Sequence, residues 1–212
     1  MENLKLISLK RFFLFLLSIY ISSFVSAAWT PIIHHYTPKN YEAGTQNWDI
    51  VEQANGWMYI ANNYGLLETD GCRWNLYGIN NSSALRSVTL DNEGNIYVGG
   101  TDEFGVFVAD GLGRLKYENL SMYVPSSYRN FGEVWRLQVA ENKLYVQTRH
   151  YIFIYKKGEG IEVIDPGAII YESLVWEGNL YVATSRDLYV QSGGRLHALR
   201  GAESLHNIVV CG

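Results

Sequence analysis

The chain has 212 residues, of which 48% are hydrophobic and 18% charged, with a formal net charge of −4. That balance supplies apolar surface for a packed domain and excludes a strongly basic face for nucleic acid, so no nucleic-acid partner is expected. Twenty glycines and sixteen tyrosines beside four prolines suit a turn-rich β protein. The two cysteines, Cys72 and Cys211, give no disulfide framework and are expected as free thiols.

Lys5, Lys10 and Arg11 precede a mostly apolar stretch from Phe12 to Val25, and Val25-Ser26-Ala27 follows with small residues. This three-part pattern is that of a secretory signal peptide cleaved near Ala27/Ala28; the alternative is an uncleaved anchor helix. Either reading exports the rest of the chain, to the periplasm or another extracytoplasmic space. Residues 28–46 show no sustained period and read as a lead-in segment at the surface. The neighbouring His34 and His35 cannot alone build a tetrahedral site, and no cofactor or metal is expected.

From residue 47 onward the sequence repeats. Glu93-Gly94-Asn95-Ile96-Tyr97-Val98 returns as Glu177-Gly178-Asn179-Leu180-Tyr181-Val182, as Glu141-Asn142-Lys143-Leu144-Tyr145-Val146, and earliest as Asn55-Gly56-Trp57-Met58-Tyr59-Ile60. The tyrosines at 59, 97, 145 and 181 are spaced 38, 48 and 36 residues apart, the period of a repeated supersecondary unit. Four units are expected, at 47–78, 84–119, 131–165 and 169–200, with the start of a fifth at 205–212. Each reads as four short strands. In the first these are Trp48 to Val51, Trp57 to Ala61, Gly65 to Thr69 and Trp74 to Tyr77, with turns at Asn55-Gly56 and Asp70-Gly71. In the second, Asn92-Glu93-Gly94 and Asp110-Gly111 are the turns; in the third, the first strand is set at Val134 to Val139. The segment Ser121 to Asn130, carrying Pro125, Ser126 and Ser127, accounts for the long step and is read as a loop.

Ile96-Tyr97-Val98 and Leu180-Tyr181-Val182 are apolar on both faces of their strands, which requires both faces of each sheet to be covered. A two-sheet sandwich would alternate instead. The fold expected is therefore all-β, a β-propeller of about four four-stranded antiparallel blades. An incomplete ring leaves blade faces and an edge open, so self-association is expected.

In such an arrangement the loops joining second to third strands share one mouth. They contribute Asn63 and Tyr64, Asp102 and Glu103, Arg149 and His150, and Arg186 and Asp187, with Asn80, Asn81 and the 121–130 segment on the same face. These side chains suit a carbohydrate or another polar small ligand. Asp49, Arg86, Glu133 and Glu172 lie near the starts of the innermost strands; the mixed charges and unequal repeat positions argue against a lyase or lactonase site. Trp48, Trp57, Trp74, Trp135 and Trp176 are expected to pack between blades.

Trp48-Asp49-Ile50, Asn55-Gly56-Trp57-Met58-Tyr59-Ile60-Ala61-Asn62, Gly65-Leu66-Leu67-Glu68-Thr69-Asp70-Gly71 and Gly94-Asn95-Ile96-Tyr97-Val98-Gly99-Gly100 resemble blades of the two-component regulator propeller. That resemblance covers about residues 47–200, more closely in the first two units than in the last two. It implies the periplasmic sensor region of a bacterial two-component or helix-turn-helix transcriptional regulator, without enzymatic activity. In that family a tyrosine-rich domain, a membrane helix and an output region follow, so an N-terminal fragment is expected, meeting the membrane only through a missing C-terminal region. The alternatives are a closed four-bladed ring acting as a stand-alone carbohydrate-binding or scaffold protein, and a propeller enzyme.

Overall fold

The computed structural model describes residues 13–15, 17, 33–199 and 201. The signal-peptide pattern, the fifth-unit strand and Cys211 lie outside these residues, apart from helical positions 13–15 and 17. Residues 1–35 and 36–212 form separate compact units, and the second carries the repeats.

That unit contains four four-stranded antiparallel meanders in sequence order. The first is β1 (Asn47–Glu52), β2 (Met58–Asn62), β3 (Gly65–Thr69) and β4 (Trp74–Tyr77). The second is β5 (Ser87–Leu90), β6 (Ile96–Gly99), β7 (Phe104–Ala109) and β8 (Leu115–Asn119). The third is β9 (Arg136–Ala140), β10 (Lys143–Gln147), β11 (Ile152–Lys156) and β12 (Gly160–Ile164). The fourth is β13 (Ile170–Trp176), β14 (Asn179–Thr184), β15 (Leu188–Ser192) and β16 (Arg195–Ala198). The hairpins close through left-handed residues at the repeated turn: Gly56, Gly94 and Gly178 have φ of 86°, 84° and 74°. Asn142 replaces the glycine and still adopts φ 59°, a conformation asparagine tolerates better than other side chains with a Cβ. At the second outer hairpin, Gly113 rather than Gly111 takes the positive φ, because Asp110 Oδ1 accepts the N–H groups of Leu112 and Arg114 and sets a longer turn.

First strands lie side by side, β1 against β5, β5 against β9 and β9 against β13. Between consecutive sheets sit three apolar cores. Tyr59, Leu66, Val88, Ile96 and Val98 join the first two sheets; Phe104, Val134, Leu144, Val146 and Phe153 join the next; Tyr145, Ile154, Leu180 and Val182 join the last. Strand alternation explains the unbroken apolar runs. Ile96 and Val98 face the preceding sheet while Tyr97 packs into the following core. Each junction also carries a backbone stitch of the same kind: Leu85 N–H to Asn62 O, Val134 N–H to Gly100 O and Ile170 N–H to Arg149 O, at 3.1, 2.9 and 2.8 Å.

Three expectations change. The lead-in is not a bare surface segment, because α1 (Pro38–Tyr41) and its flanks cover the outer face of the first sheet. Tyr41 packs with Ile60, Leu67 and Trp74, Tyr36 donates its hydroxyl to Gly71 O at 2.9 Å, and Asn62 ties Gly44 at its N–H and its carbonyl. The first blade face expected to be open is thus covered at Ile60 and Leu67, while Ile50 and Leu76 in the same row, like Leu174 and Trp176 of the fourth sheet, stay exposed. Segment 121–130 is not a plain loop either. It forms two 3-10 turns, Ser121–Tyr123 and Ser126–Tyr128, and buries Val124 in the second core, since Leu120, Val124 and Phe131 supply an apolar side. Finally β9 starts at Arg136, because the N–H of Val134 is given to the preceding sheet.

Gly94→Ala and Gly178→Ala should each destabilise by about 1 kcal/mol, because a Cβ disfavours their positive φ; chemical denaturation midpoints measure this. A second outcome concerns alkali. Burial, and then the hydrogen bond to the Glu68 carboxylate at 2.7 Å, push the Tyr77 hydroxyl up to about 12. Burial and Asp91 raise Tyr97 as well. An unfolded chain releases the Tyr77 proton near 10, so stability present below pH 10 should fall as pH rises toward 12. Tyr77→Phe should flatten that fall in melts run across the interval.

Candidate functional site

The strand register places the candidate residues at one end of the unit. Asn47 pairs with Asn62, Ser87 with Gly99, Arg136 with Gln147 and Ile170 with Thr184. The starts of the innermost strands therefore stand beside the turns between second and third strands, and together they form one mouth.

These turns are built alike. Thr148 Oγ1 accepts the N–H groups of His150 and Tyr151, and Thr184 Oγ1 accepts those of Arg186 and Asp187. Asn62 Oδ1 does the same for Tyr64 N–H at 2.9 Å. The structure brings His150 and Arg186 together, with Tyr151, Asp165 and Ser185, around a cleft of about 350 Å³ between the third and fourth sheets. Arg149 is exposed on its turn and offers its carbonyl to the Ile170 stitch. Tyr64 is exposed, and Asp187 Oδ1 accepts Leu188 N–H at 2.8 Å.

Two carboxylates proposed at loop tips have structural partners. Asp102 holds the second junction, accepting Gly132 N–H at 2.7 Å while its own N–H donates to Gly132 O. Glu103 is only 4% exposed and turns inward, accepting Asn80 N–H and Asn81 N–H on its two oxygens, both at 3.1 Å. A buried carboxylate needs such donors, and here they come from the segment linking the first two sheets. Glu103 is thereby a clip rather than a tip.

Asn63 is a hub. Its Oδ1 accepts Trp48 Nε1–H at 2.8 Å and an Arg86 N–H at 3.4 Å, and its Nδ2 donates to Gln46 Oε1. Around it lies a cluster whose two indoles, Trp48 and Trp135, were expected to pack between blades. Trp48 occupies a bulge between Asn47 and Asp49; Arg86 and Trp135 each donate a backbone N–H to the end of the second strand, at Gly99 O and Gln147 O. The Arg86 guanidinium lies 4.0 Å from the Trp48 ring centroid, and the rings of Trp48 and Trp135 meet at 6.5 Å and 74°. Both indoles remain well exposed, at 42% and 46%. They are displaced outward because bulged and strand-edge positions leave the alternation that buries their neighbours. Next to them, Arg136 and Glu172 form an ion pair, and Asp49 Oδ2 accepts Val88 N–H at 2.9 Å. The signal that could have located this cluster was the recurrence of large side chains, Trp48, Arg86, Trp135 and Tyr171, just ahead of each first-strand core. Among the described residues no three His, Cys, Asp or Glu side chains gather as a metal would need.

No protein-family model matches the chain, and no curated protein matches it in sequence. Its architecture is similar to several solved structures. The extracellular domain of BT4673 from B. thetaiotaomicron, assigned to the hybrid two-component systems, superposes with a TM-score of 0.59 at 13% identity, covering 74% of this chain and 24% of that one. The WD40 β-propeller domain of Doa1 gives 0.61 at 14%, covering 80% and 57%, and a streptogramin B lyase gives 0.57 at 12%, covering 73% and 55%. The chain has a β-propeller fold. It spans about a quarter of the BT4673 domain and somewhat over half of the other two propellers. At these identities the likeness concerns the propeller fold alone, since sensors, scaffolds and enzymes share it.

The Glu103 clip is testable. Glu103→Gln keeps the shape and removes one charge-assisted acceptor, so it should cost about 1–3 kcal/mol in denaturant melts. An unchanged midpoint would remove Glu103 from the blade junction.

Proposed function

We propose that the chain is an exported β-propeller module that binds a carbohydrate or another polar small ligand, like the periplasmic sensor regions of bacterial two-component and transcriptional regulators. In a longer regulator the signal would leave through a region C-terminal to the blades. The observation that carries this reading is the mouth, where exposed aromatic and hydrogen-bonding side chains of four consecutive blades share one end of the propeller.

Binding without catalysis fits the state of the carboxylates there. Asp49, Asp102, Glu103 and Asp187 accept backbone N–H groups, and Glu172 pairs with Arg136. Groups tied to protein donors in this way serve geometry rather than proton transfer. The basic start, apolar stretch and small-residue exit of residues 1–27 support export.

The test is a thermal-shift and calorimetric screen of the exported chain against oligosaccharides and small polar metabolites. A ligand present at a hundred times its Kd should stabilise the fold by about 2.7 kcal/mol and be recovered chemically unchanged by mass spectrometry. Cleavage of a glycan or a lactone during incubation, or the absence of any stabilising ligand, would overturn the reading.

A further inference from the structure

Trp48 and Trp135 belong to the first and third blades, which are not neighbours, yet their rings touch. They do so over the start of β5, the innermost strand of the blade between them, where Arg86 lies against Trp48. Three successive blades thus contribute one side chain each to a single corner at the mouth. The two indole planes stand nearly perpendicular, at 74°, and both keep more than two fifths of their surface in contact with solvent.

Exposed indoles that meet each other are costly in water, and their polar edges and neighbours define what covers them. Arg86 Nε is buried without a hydrogen-bond partner, and another guanidinium nitrogen has only a 3.4 Å contact with Asn63. The guanidinium is thus under-used as a donor while its plane is fixed on an aromatic face. Arg136 is paired with Glu172, and Asp49 accepts Val88 N–H, so these neighbouring charges are already engaged. A wholly apolar occupant would strand the Arg86 guanidinium, and a polyanion would meet the carboxylates of Asp49, Glu133 and Glu172 at or beside the starts of the innermost strands. A pyranose ring matches both requirements: its C–H faces are apolar and its rim is neutral hydroxyl.

We infer that the Trp48–Arg86–Trp135 corner is a carbohydrate subsite that takes a neutral pyranose unit, stacked on an indole wall with its hydroxyls toward Arg86 and Asn63. This rests on the reading of the module as a ligand-binding one and locates its contact surface at the axial corner, apart from the His150–Arg186 cleft between the third and fourth blades.

The experiment titrates the exported chain with maltohexaose, cellohexaose, xylohexaose and mannohexaose, and with tetragalacturonate as the acidic comparison. Tryptophan fluorescence and calorimetry are the readouts. A neutral oligosaccharide should shift the emission and bind. Trp48→Ala and Trp135→Ala should each weaken that binding at least tenfold, and Arg86→Lys, which loses the planar stacked donor, by several-fold. Trp176→Ala, at the opposite end of β13, should leave it unchanged, and melting temperatures establish that each variant is folded.

Binding that survives Trp48→Ala and Trp135→Ala but is lost with Arg186→Ala would overturn the corner and keep the ligand-binding reading. Preference for tetragalacturonate would overturn the neutral-pyranose assignment. Failure of all five sugars, while another polar metabolite stabilises the chain, would overturn the subsite and leave the module a binder of something else.

Discussion

A single β-sheet with two apolar faces cannot stand alone in water, and this chain repeats such a sheet four times. Every other feature follows from how those faces are covered. The solution is to slide successive sheets together at their first strands, so that each interface core draws side chains from two blades. The recurrent tyrosine marks the direction of this growth. Tyr59, Tyr97 and Tyr145 each pack toward the following blade, whereas Tyr181 lies on the same row as the exposed Leu174. At the other end the problem is met differently, by the Tyr36–Tyr41 segment lying on Trp74, Ile60 and Leu67. The chain uses one short capped turn there in place of a sheet.

Much of this could be read in the sequence because hairpin chemistry is local. An Asn-Gly or Glu-Gly pair ahead of an apolar triplet fixes a turn and a strand within a few residues, so the sixteen strands among the described residues fall close to where the repeat places them. What was hidden depends on contacts far apart in the chain. Nothing around Tyr41 announces that Trp74 needs a cover. The displacement of β9 comes from a backbone partner, Gly100, more than thirty residues earlier in the chain. Gly111 and Gly113 look equally suited to a turn, and only the two hydrogen bonds to Asp110 decide between them.

The mouth shows the same division. Which loops share a face follows from strand count, and that much was legible. Which side chains remain available does not follow, because it depends on hydrogen-bond partners. Glu103 and Asp102 look like ligand-facing carboxylates in the sequence, yet the polypeptide consumes them to hold its inter-blade segments. Trp48 and Trp135 look like core residues, yet a bulge and a strand edge turn them outward. Tryptophan is a poor sequence indicator of burial where strands begin, since its large apolar body and single N–H donor suit either environment.

The stitches between blades have a consequence for how such a chain can change. Each is made by a main-chain N–H and a main-chain carbonyl, which every residue except proline supplies in full. For these stitches, unlike the Arg136–Glu172 ion pair, no particular side chain has to be inherited in concert with another across the seam. A blade can therefore drift in sequence, or be copied and inserted whole, while its neighbours continue to recognise it. This is one physical reason that two chains sharing 13% of their residues can carry the same architecture.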